Sequence, residues 1–438
     1  MTDAETRGEA LDITGLPTLQ SLGYDGGRQA LRRFCARAFA PGALRFLRTE
    51  SGALVVFRQA DLRALAAAPQ LATLAPNQLF PGILRDVEPE VKPVGYALAD
   101  LIKNQLFTSN PPLNPALRRV LLNQIGPKQT AAQADMAREI ARDVLSRVPD
   151  DRQVDLVQEV VEPLIGRYWG RLIGLTDEEA LTAAAEARKM TPMLFLQPSA
   201  AEVAEADLAA GAYRAAVEGP AMRSLAQGGC PFVARLAEDL AAIDMADDLD
   251  YAGFVPRSVG AFLAGNLFDG FHTAALAATN TLYALLSRPE VWDELRASPD
   301  LVGAAVSEAL RLEPPVIHLN RRVSEDIVFD GVIIPKGTPV LMMWGAAGRD
   351  PEAFSDPDVF DLRRSQQGTT TFGGGAHICP GRFAATLLSR SLVEVLVETH
   401  PDVRLTEVDE AWIDNHAMCQ LRHLSITLGR SRGGASER

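Results

Sequence analysis

The stretch Thr369–Phe383, TTTFGGGAHICPGRF, decides how this chain is read. Gly373, Gly374 and Gly375 precede Cys379, and Pro380-Gly381 follow it. A backbone this permissive approaches a flat group closely. A helix starting near Arg382 aims its N-terminal N–H groups and positive dipole end back at Cys379, which favours a thiolate, the metal-binding form of cysteine. One thiolate suits the axial position of haem iron, whose in-plane ligands belong to the macrocycle, whereas zinc or an iron–sulfur cluster needs several cysteines. The other cysteines, Cys35, Cys230 and Cys419, lie far apart in sequence and form no C-x-x-C pair. The bland alternative is an inert buried thiol.

The neighbours of Cys379 weigh against that alternative. Phe372, Gly375, His377, Cys379 and Gly381 fall at the spacing F-x-x-G-x-H-x-C-x-G, which resembles the cysteine-loop signature of the cytochrome P450 family, soluble bacterial type. The resemblance implies a mainly α fold, a large helical domain with small peripheral β-sheets. It also implies a haem b whose iron is ligated by Cys379, with Phe372, His377 and Gly381 at the cofactor.

Working outward, the 438 residues are 47% hydrophobic and 23% charged, ordinary globular usage that excludes a collagenous, disordered or coiled-coil chain. A net charge of −13 argues against broad binding of nucleic acid or anionic membrane. The polar N-terminus and the lack of a long uncharged apolar run predict a cytoplasmic protein with reduced thiols. No repeat or linker divides the chain, so a single domain over 1–438 is expected, with residues 1–20 and 430–438 as flexible ends.

Residues 43–59 read as a hairpin turning at Glu50, Ser51 and Gly52. The Pro- and Asn-rich segment from Pro76 to Pro112 reads as a long loop facing substrate. Leu113 to Leu312 reads as helical throughout, and Phe254–Leu286, apolar on nearly every face, as a central buried helix. Short strands with turns at Asp330-Gly331 and Lys336-Gly337 follow, and a helix resumes after Gly381.

Glu308 and Arg311 stand at i and i+3, where a carboxylate and a guanidinium pair; in the family such a pair braces the proximal core. The family's later arginine is replaced by Val359, leaving Arg363 or Arg364 as substitutes. The resemblance assigns the haem propionates to Arg118, Arg321 and His377, and places Asn114 where a further donor, usually histidine, stands.

Asp269-Gly270-Phe271-His272-Thr273 aligns with the family's oxygen-activation stretch, in which a bend at Gly270 would make room for dioxygen. Oxygen activation consumes two protons, so a hydroxyl (Thr273) and a titratable group (His272 in the usual acidic position) are the expected catalytic pair, with Cys379. Asp269 is an alternative carboxyl, and His272 could instead bind a polar substrate group. Phe268, Phe271, Val316, Ile317 and Leu319 are expected to line a pocket for a hydrophobic small molecule. The chain carries no flavin or iron–sulfur motif, so electrons would come from an external acidic ferredoxin with its reductase, docking on Arg118, Arg119, Arg382 and Arg390. Competing readings are a peroxide-dependent haem-thiolate oxygenase and a non-catalytic haem-thiolate sensor or carrier.

Overall fold

The structure is a computed structural model that describes residues 9–42, 45–80, 83, 90–149, 152–243, 258–406 and 411–429. The helices that bear on the site, in chain order, are α1 (Gly27–Ala38), α2 (Gln59–Ala67), α3 (Tyr96–Ile102), α4 (Leu113–Ile125), α5 (Ala134–Ser146), α6 (Glu162–Ile173), α7 (Asp177–Lys189), α8 (Ala200–Ala226), α9 (Val259–Leu286), α10 (Val302–Leu312) and α11 (Arg382–Thr399); further helices include Pro231–Ala241 and Pro289–Ala297. The strands are β1 (Glu9–Ala10), β2 (Phe46–Arg48), β3 (Leu54–Val56), β4 (Leu71–Ala72), β5 (Gln153–Asp155), β6 (Leu319–Val323), β7 (Ile327–Phe329), β8 (Val332–Ile334), β9 (Pro339–Met342), β10 (Arg404–Leu405) and β11 (Ser425–Thr427). They form three small sheets, ordered β2-β3-β9-β6-β4, β1-β8-β7 and β10-β11-β5.

The mainly helical architecture with peripheral sheets agrees with the sequence reading. The central helix α9 carries one charged residue, Asp269, in 28 positions, and a helix apolar all round must be enclosed by other elements. It packs against α6, α8, α10 and α11. Its first residues are capped by Ser258, whose Oγ accepts from the Ala261 N–H at 3.0 Å. The expected start at Phe254 lies outside the described residues. Near its other end the wholly buried Asn280 donates to the carbonyls of Glu313 (3.2 Å) and Cys419 (2.9 Å), tying two distant loops to the central helix.

The hairpin forms as β2–β3, with Phe46 opposite Val56, and β6 to β9 follow the predicted run. Three expectations need correction. Within Pro76–Pro112, helix occurs at Pro76–Leu79 and in α3, with a 3-10 turn at Leu106–Thr108; pieces this short carry too few turns for periodicity to reveal. The block from Leu113 to Leu312 is interrupted by β5, which pairs with the distant β11. The N-terminal residues from Glu9 onward are not a free end: β1 pairs with β8, and Leu19 and Tyr24 are each 2% exposed. Residues 1–8 and 430–438 lie outside the described residues.

Candidate active site

Backbone constraints build the cysteine loop before any side chain does. Gly375 adopts φ +61°, and a Cβ there would stand 1.7 Å from the Ala66 carbonyl oxygen, so only glycine lets the loop seat on the end of α2. The Cys379 N–H donates to the Phe372 carbonyl at 2.9 Å, closing the loop. Arg382 donates to the Cys379 carbonyl at 2.7 Å and stacks on Phe383, and Arg118 reaches from α4 to the Ile378 carbonyl. The helix beginning at Arg382 therefore sits where it was expected. Its effect on the thiol is outweighed, however: burial pushes the Cys379 thiol up to about 11, against the Gly381 N–H, Arg382 and Arg118. At neutral pH the thiol is therefore held in its protonated form.

Beneath this loop lies an ion network in which every donor and acceptor of the Glu308–Arg311 pair is engaged, while the Gln366 Oε1 beside it is unpartnered among the described residues. Glu308 and Arg311 pair through two bonds, 2.8 and 2.7 Å, with both side chains inaccessible. Arg364 donates to Glu308 at 3.0 Å, Gln366 at 2.9 Å and the Asp361 N–H at 3.0 Å. Burial opposes ionisation of Glu308, but these donors prevail and hold its carboxyl below the usual range. Arg311 also serves the carbonyls of Gly348, Pro357 and Val359. Of the two candidates for the arginine missing at Val359, Arg364 fills the role and Arg363 pairs with Glu294 instead.

Arg118, Arg321 and His377 lie close enough together that each cation depresses the imidazole. His377 falls to about 4, through burial first and then Arg321 and Arg118. Arg321 is 7% exposed, among the described residues donates only to its neighbour's carbonyl, and is pushed down to about 10 by burial. Arg118 Nε and His377 Nδ1 have no partner among the described residues, and neither arginine meets a carboxylate there. Buried cations without anions are costly unless an anionic ligand completes them. Beside one half-buried cysteine, this donor set fits a haem with two propionates. Trp344, whose buried Nε1 is also unpaired and whose ring packs against Gly373 and Gly374, was not singled out in the sequence; an indole carries no spacing signal.

Asn114 does not join this cluster. Its amide donates to the Leu106 and Ser109 carbonyls and to Ser109 Oγ, so its donors are committed to the local backbone. The cationic docking patch is also smaller than expected. Arg390 pairs with Glu394 at 2.6 Å, Arg118 and Arg382 turn inward to the cysteine loop, and Arg119 stays exposed.

On α9, Asp269 and Thr273 share one face, i and i+4, and the Thr273 hydroxyl donates to the Asp269 carbonyl at 2.6 Å. The Asp269 carboxyl is met by Gln105 Nε2 at 3.4 Å, is raised to about 7 by burial, and is near enough to Cys379 to act on it electrostatically. Gly270 makes room for Trp169: a Cβ would lie 3.1 Å from the indole, whose Nε1 donates to the Gly270 carbonyl at 2.9 Å. His272 turns to a different face, stacked on Phe268 at 6.1 Å and bordering a small cavity with Glu162, Arg188 and Phe271. His272 and Thr273 thus face different sides of α9, and Thr273 shares its side with Asp269.

Phe268 and Phe271 are 2% and 3% exposed, and both rings pack edge-on against Tyr213 of α8, which makes them part of the packed roof. Ile317 is wholly buried, its N–H bonded to the Ala417 carbonyl. Val316 and Leu319 keep accessible surface. Alternation along a short strand does not tell which face meets core and which meets a chamber.

No helix among the described residues is long and apolar enough to cross a membrane, and no group of three His, Cys, Asp or Glu there is arranged to hold a metal ion. Residues 239–400 match the family model described as Cytochrome P450. The chain is 37% identical over 158 residues to the biotin biosynthesis cytochrome P450 of Bacillus subtilis (strain 168), a match covering 36% of this chain and 40% of that protein. It is 29% identical over 361 residues to the cytochrome P450 monooxygenase PikC of Streptomyces venezuelae, covering 80% and 82% of the two chains. Among solved structures, CalO2 superposes with a TM-score of 0.75 at 23% identity, over 90% of this chain and 94% of that one, a likeness of fold. With the cysteine loop and the buried Glu308–Arg311 pair in place, the chain belongs to the cytochrome P450 family of haem-thiolate monooxygenases.

Proposed function

We propose that this enzyme inserts one oxygen atom of dioxygen into a hydrophobic small molecule, with electrons from an external acidic ferredoxin and its reductase. The observation that carries this reading is the convergence of Arg118, Arg321 and His377, short of anions among the described residues, beside the half-buried Cys379. Cys379 would ligate the haem iron, the other three would hold the propionates, and Phe372 and Gly381 would flank the thiolate. Haem iron with a thiolate ligand supplies the activation of dioxygen.

The chain's own task is to hold substrate and deliver protons. A carboxyl raised to about 7 both gives and takes a proton near neutral pH, which suits Asp269 to that work. Thr273, bonded to the same turn, offers its oxygen lone pairs and, on rotation of its hydroxyl, its proton. His272, facing away, is free for substrate. The peroxide-dependent reading draws support from the missing acid at position 272; Asp269 supplies that acid one turn earlier.

The test is the reduced carbon-monoxide spectrum of haem-loaded protein, followed by turnover with ferredoxin and dioxygen or with peroxide. A thiolate-type band lost in Cys379→Ala is expected, with product formed from dioxygen. In Asp269→Asn, dioxygen-driven product should fall about 10²-fold while peroxide-driven product persists. Turnover with peroxide alone, unaffected by Asp269→Asn, would favour the peroxide reading; reducible haem with no turnover at all would favour the sensor.

A further inference from the structure

The connection between α3 and α4 is fastened to the central helix at the level of Asp269. Asn266 of α9 donates to the Asn104 carbonyl at 3.0 Å, and its Oδ1 accepts from the Leu106 N–H at 2.8 Å, so one side chain brackets Gln105 on both sides. Gly265 lets the two backbones meet: a Cβ there would stand 3.0 Å from the Leu101 carbonyl oxygen and from Asn104 Cβ. The Gln105 backbone is itself closed, its N–H donating to the Ile102 carbonyl at 3.0 Å and its carbonyl accepting from the Thr108 hydroxyl at 2.9 Å. On the other side α3 is tied to α8, where Asp207 Oδ1 accepts from the Leu98 N–H at 2.9 Å. A backbone pinned in this way leaves the Gln105 side chain little choice of direction. That side chain is 1% exposed, its Nε2 lies 3.4 Å from Asp269 Oδ1, and its Oε1 has no partner among the described residues.

A carboxamide carries a donor and an acceptor side by side, so it matches a carboxyl in either protonation state. Its N–H donates to the carboxylate. When Asp269 holds a proton, that O–H needs an acceptor, and the uncommitted Oε1 stands on the same amide. Neither state then strands a buried polar atom. At 3.4 Å the contact is longer than an ideal bond, and catalytic hydrogen bonds commonly tighten when the reacting complex forms. The other titratable groups that act on this carboxyl or feel it are Tyr213 of α8 and Cys379, and burial raises both far enough that neither titrates near neutral pH.

We infer that Gln105 is a positioning residue for proton delivery: its amide holds the Asp269 carboxyl in one orientation in both the charged and the neutral state, and the Asn266 bracket sets where that amide stands. This rests on the assignment of proton delivery to Asp269 above. The proton stays on Asp269 until it is passed on, and Gln105 exchanges none.

The experiment compares haem-loaded protein with Gln105→Met and Gln105→Glu, which keep the length of the side chain. The first readout is the infrared carbonyl band of the protonated Asp269 carboxyl, identified by its loss in Asp269→Asn and followed against pH. In Gln105→Met the band should move to higher frequency, because the carboxyl loses its partner. Its titration midpoint should rise by about 0.5–1 pH unit, since the lost donor served the charged form, where hydrogen bonds are stronger. In Gln105→Glu the midpoint should rise further, because a second carboxyl opposes the charge. The second readout is dioxygen-driven turnover of whichever of decane, decanol and decanoate the enzyme oxidises. Its pH profile should shift by the same amount in Gln105→Met, with kcat lowered about tenfold, less than the about 10²-fold loss on removing Asp269 itself, and KM unchanged. An unmoved band and midpoint in either variant that loads haem, or a raised KM with kcat intact, overturns the inference. Undiminished dioxygen-driven turnover in Asp269→Asn would instead sink the Asp269 assignment on which it rests.

Discussion

The two sides of the candidate site treat buried polarity in opposite ways. Below the cysteine loop, Glu308 receives Arg311, Arg364, Gln366 and the Asp361 N–H, and Arg311 spends its remaining donors on three carbonyls. Above it, among the described residues, Asp269 has one long contact and His318 Nε2 lacks a partner. A saturated network fixes one conformation, whereas an unsaturated one invites a ligand to complete it. Structure is therefore invested proximally, and chemistry is left open distally.

Breaking the saturated side should have the largest effect. Glu308→Ala leaves Arg311 charged, buried and unpaired, and should lose about 3–5 kcal/mol of stability, read by denaturant unfolding, together with most of the bound haem. Unchanged unfolding would mean that the network is not what holds the proximal core. Asn280→Ala, which strands two buried carbonyls, should lose about 1–3 kcal/mol in the same assay while keeping the haem spectrum.

A charge on the open side gives a prediction in pH rather than in magnitude. Burial raises Glu162 to about 7 despite Arg188. A carboxyl whose folded pKa lies above its unfolded value contributes stability that is present below the unfolded value and lost as pH rises through the folded one. Stability should therefore decline between about pH 4.5 and 7, and Glu162→Gln should flatten that decline; an unaltered pH profile would show that Glu162 ionises normally. The smallest effect belongs to the exposed surface. Arg390→Ala should change stability by no more than about 0.5 kcal/mol, and any effect should appear in the ferredoxin concentration needed for half-maximal turnover.

What the sequence disclosed follows the same divide. The cysteine loop and the Glu308–Arg311 pair were legible because each is a local spacing whose geometry a turn or a helix dictates. Arg364 was among the named substitutes, but its choice over Arg363 depends on which way a coil segment faces. Asn114 was misjudged because nothing in its helix shows that the Leu106 and Ser109 carbonyls wait above it. Phe268 and Phe271 read as pocket; what the sequence did not show is that both rings pack against Tyr213, which approaches from α8, far away in the chain, while Phe271 also borders the small cavity beside His272. The bracket that Asn266 places around Gln105 was invisible, because the two meet only when the connection between α3 and α4 folds onto α9.

Asn280 has a consequence for how this protein could change. Because one amide clamps the carbonyls of both Glu313 and Cys419, the C-terminal segment is anchored at a fixed point irrespective of which side chains it presents. Diversity can accumulate at positions such as 416 and 420 without shifting the backbone that carries them. A library that randomises these positions while sparing Asn280 should yield folded variants, and the clamp would act as the hinge-pin of an adaptable segment.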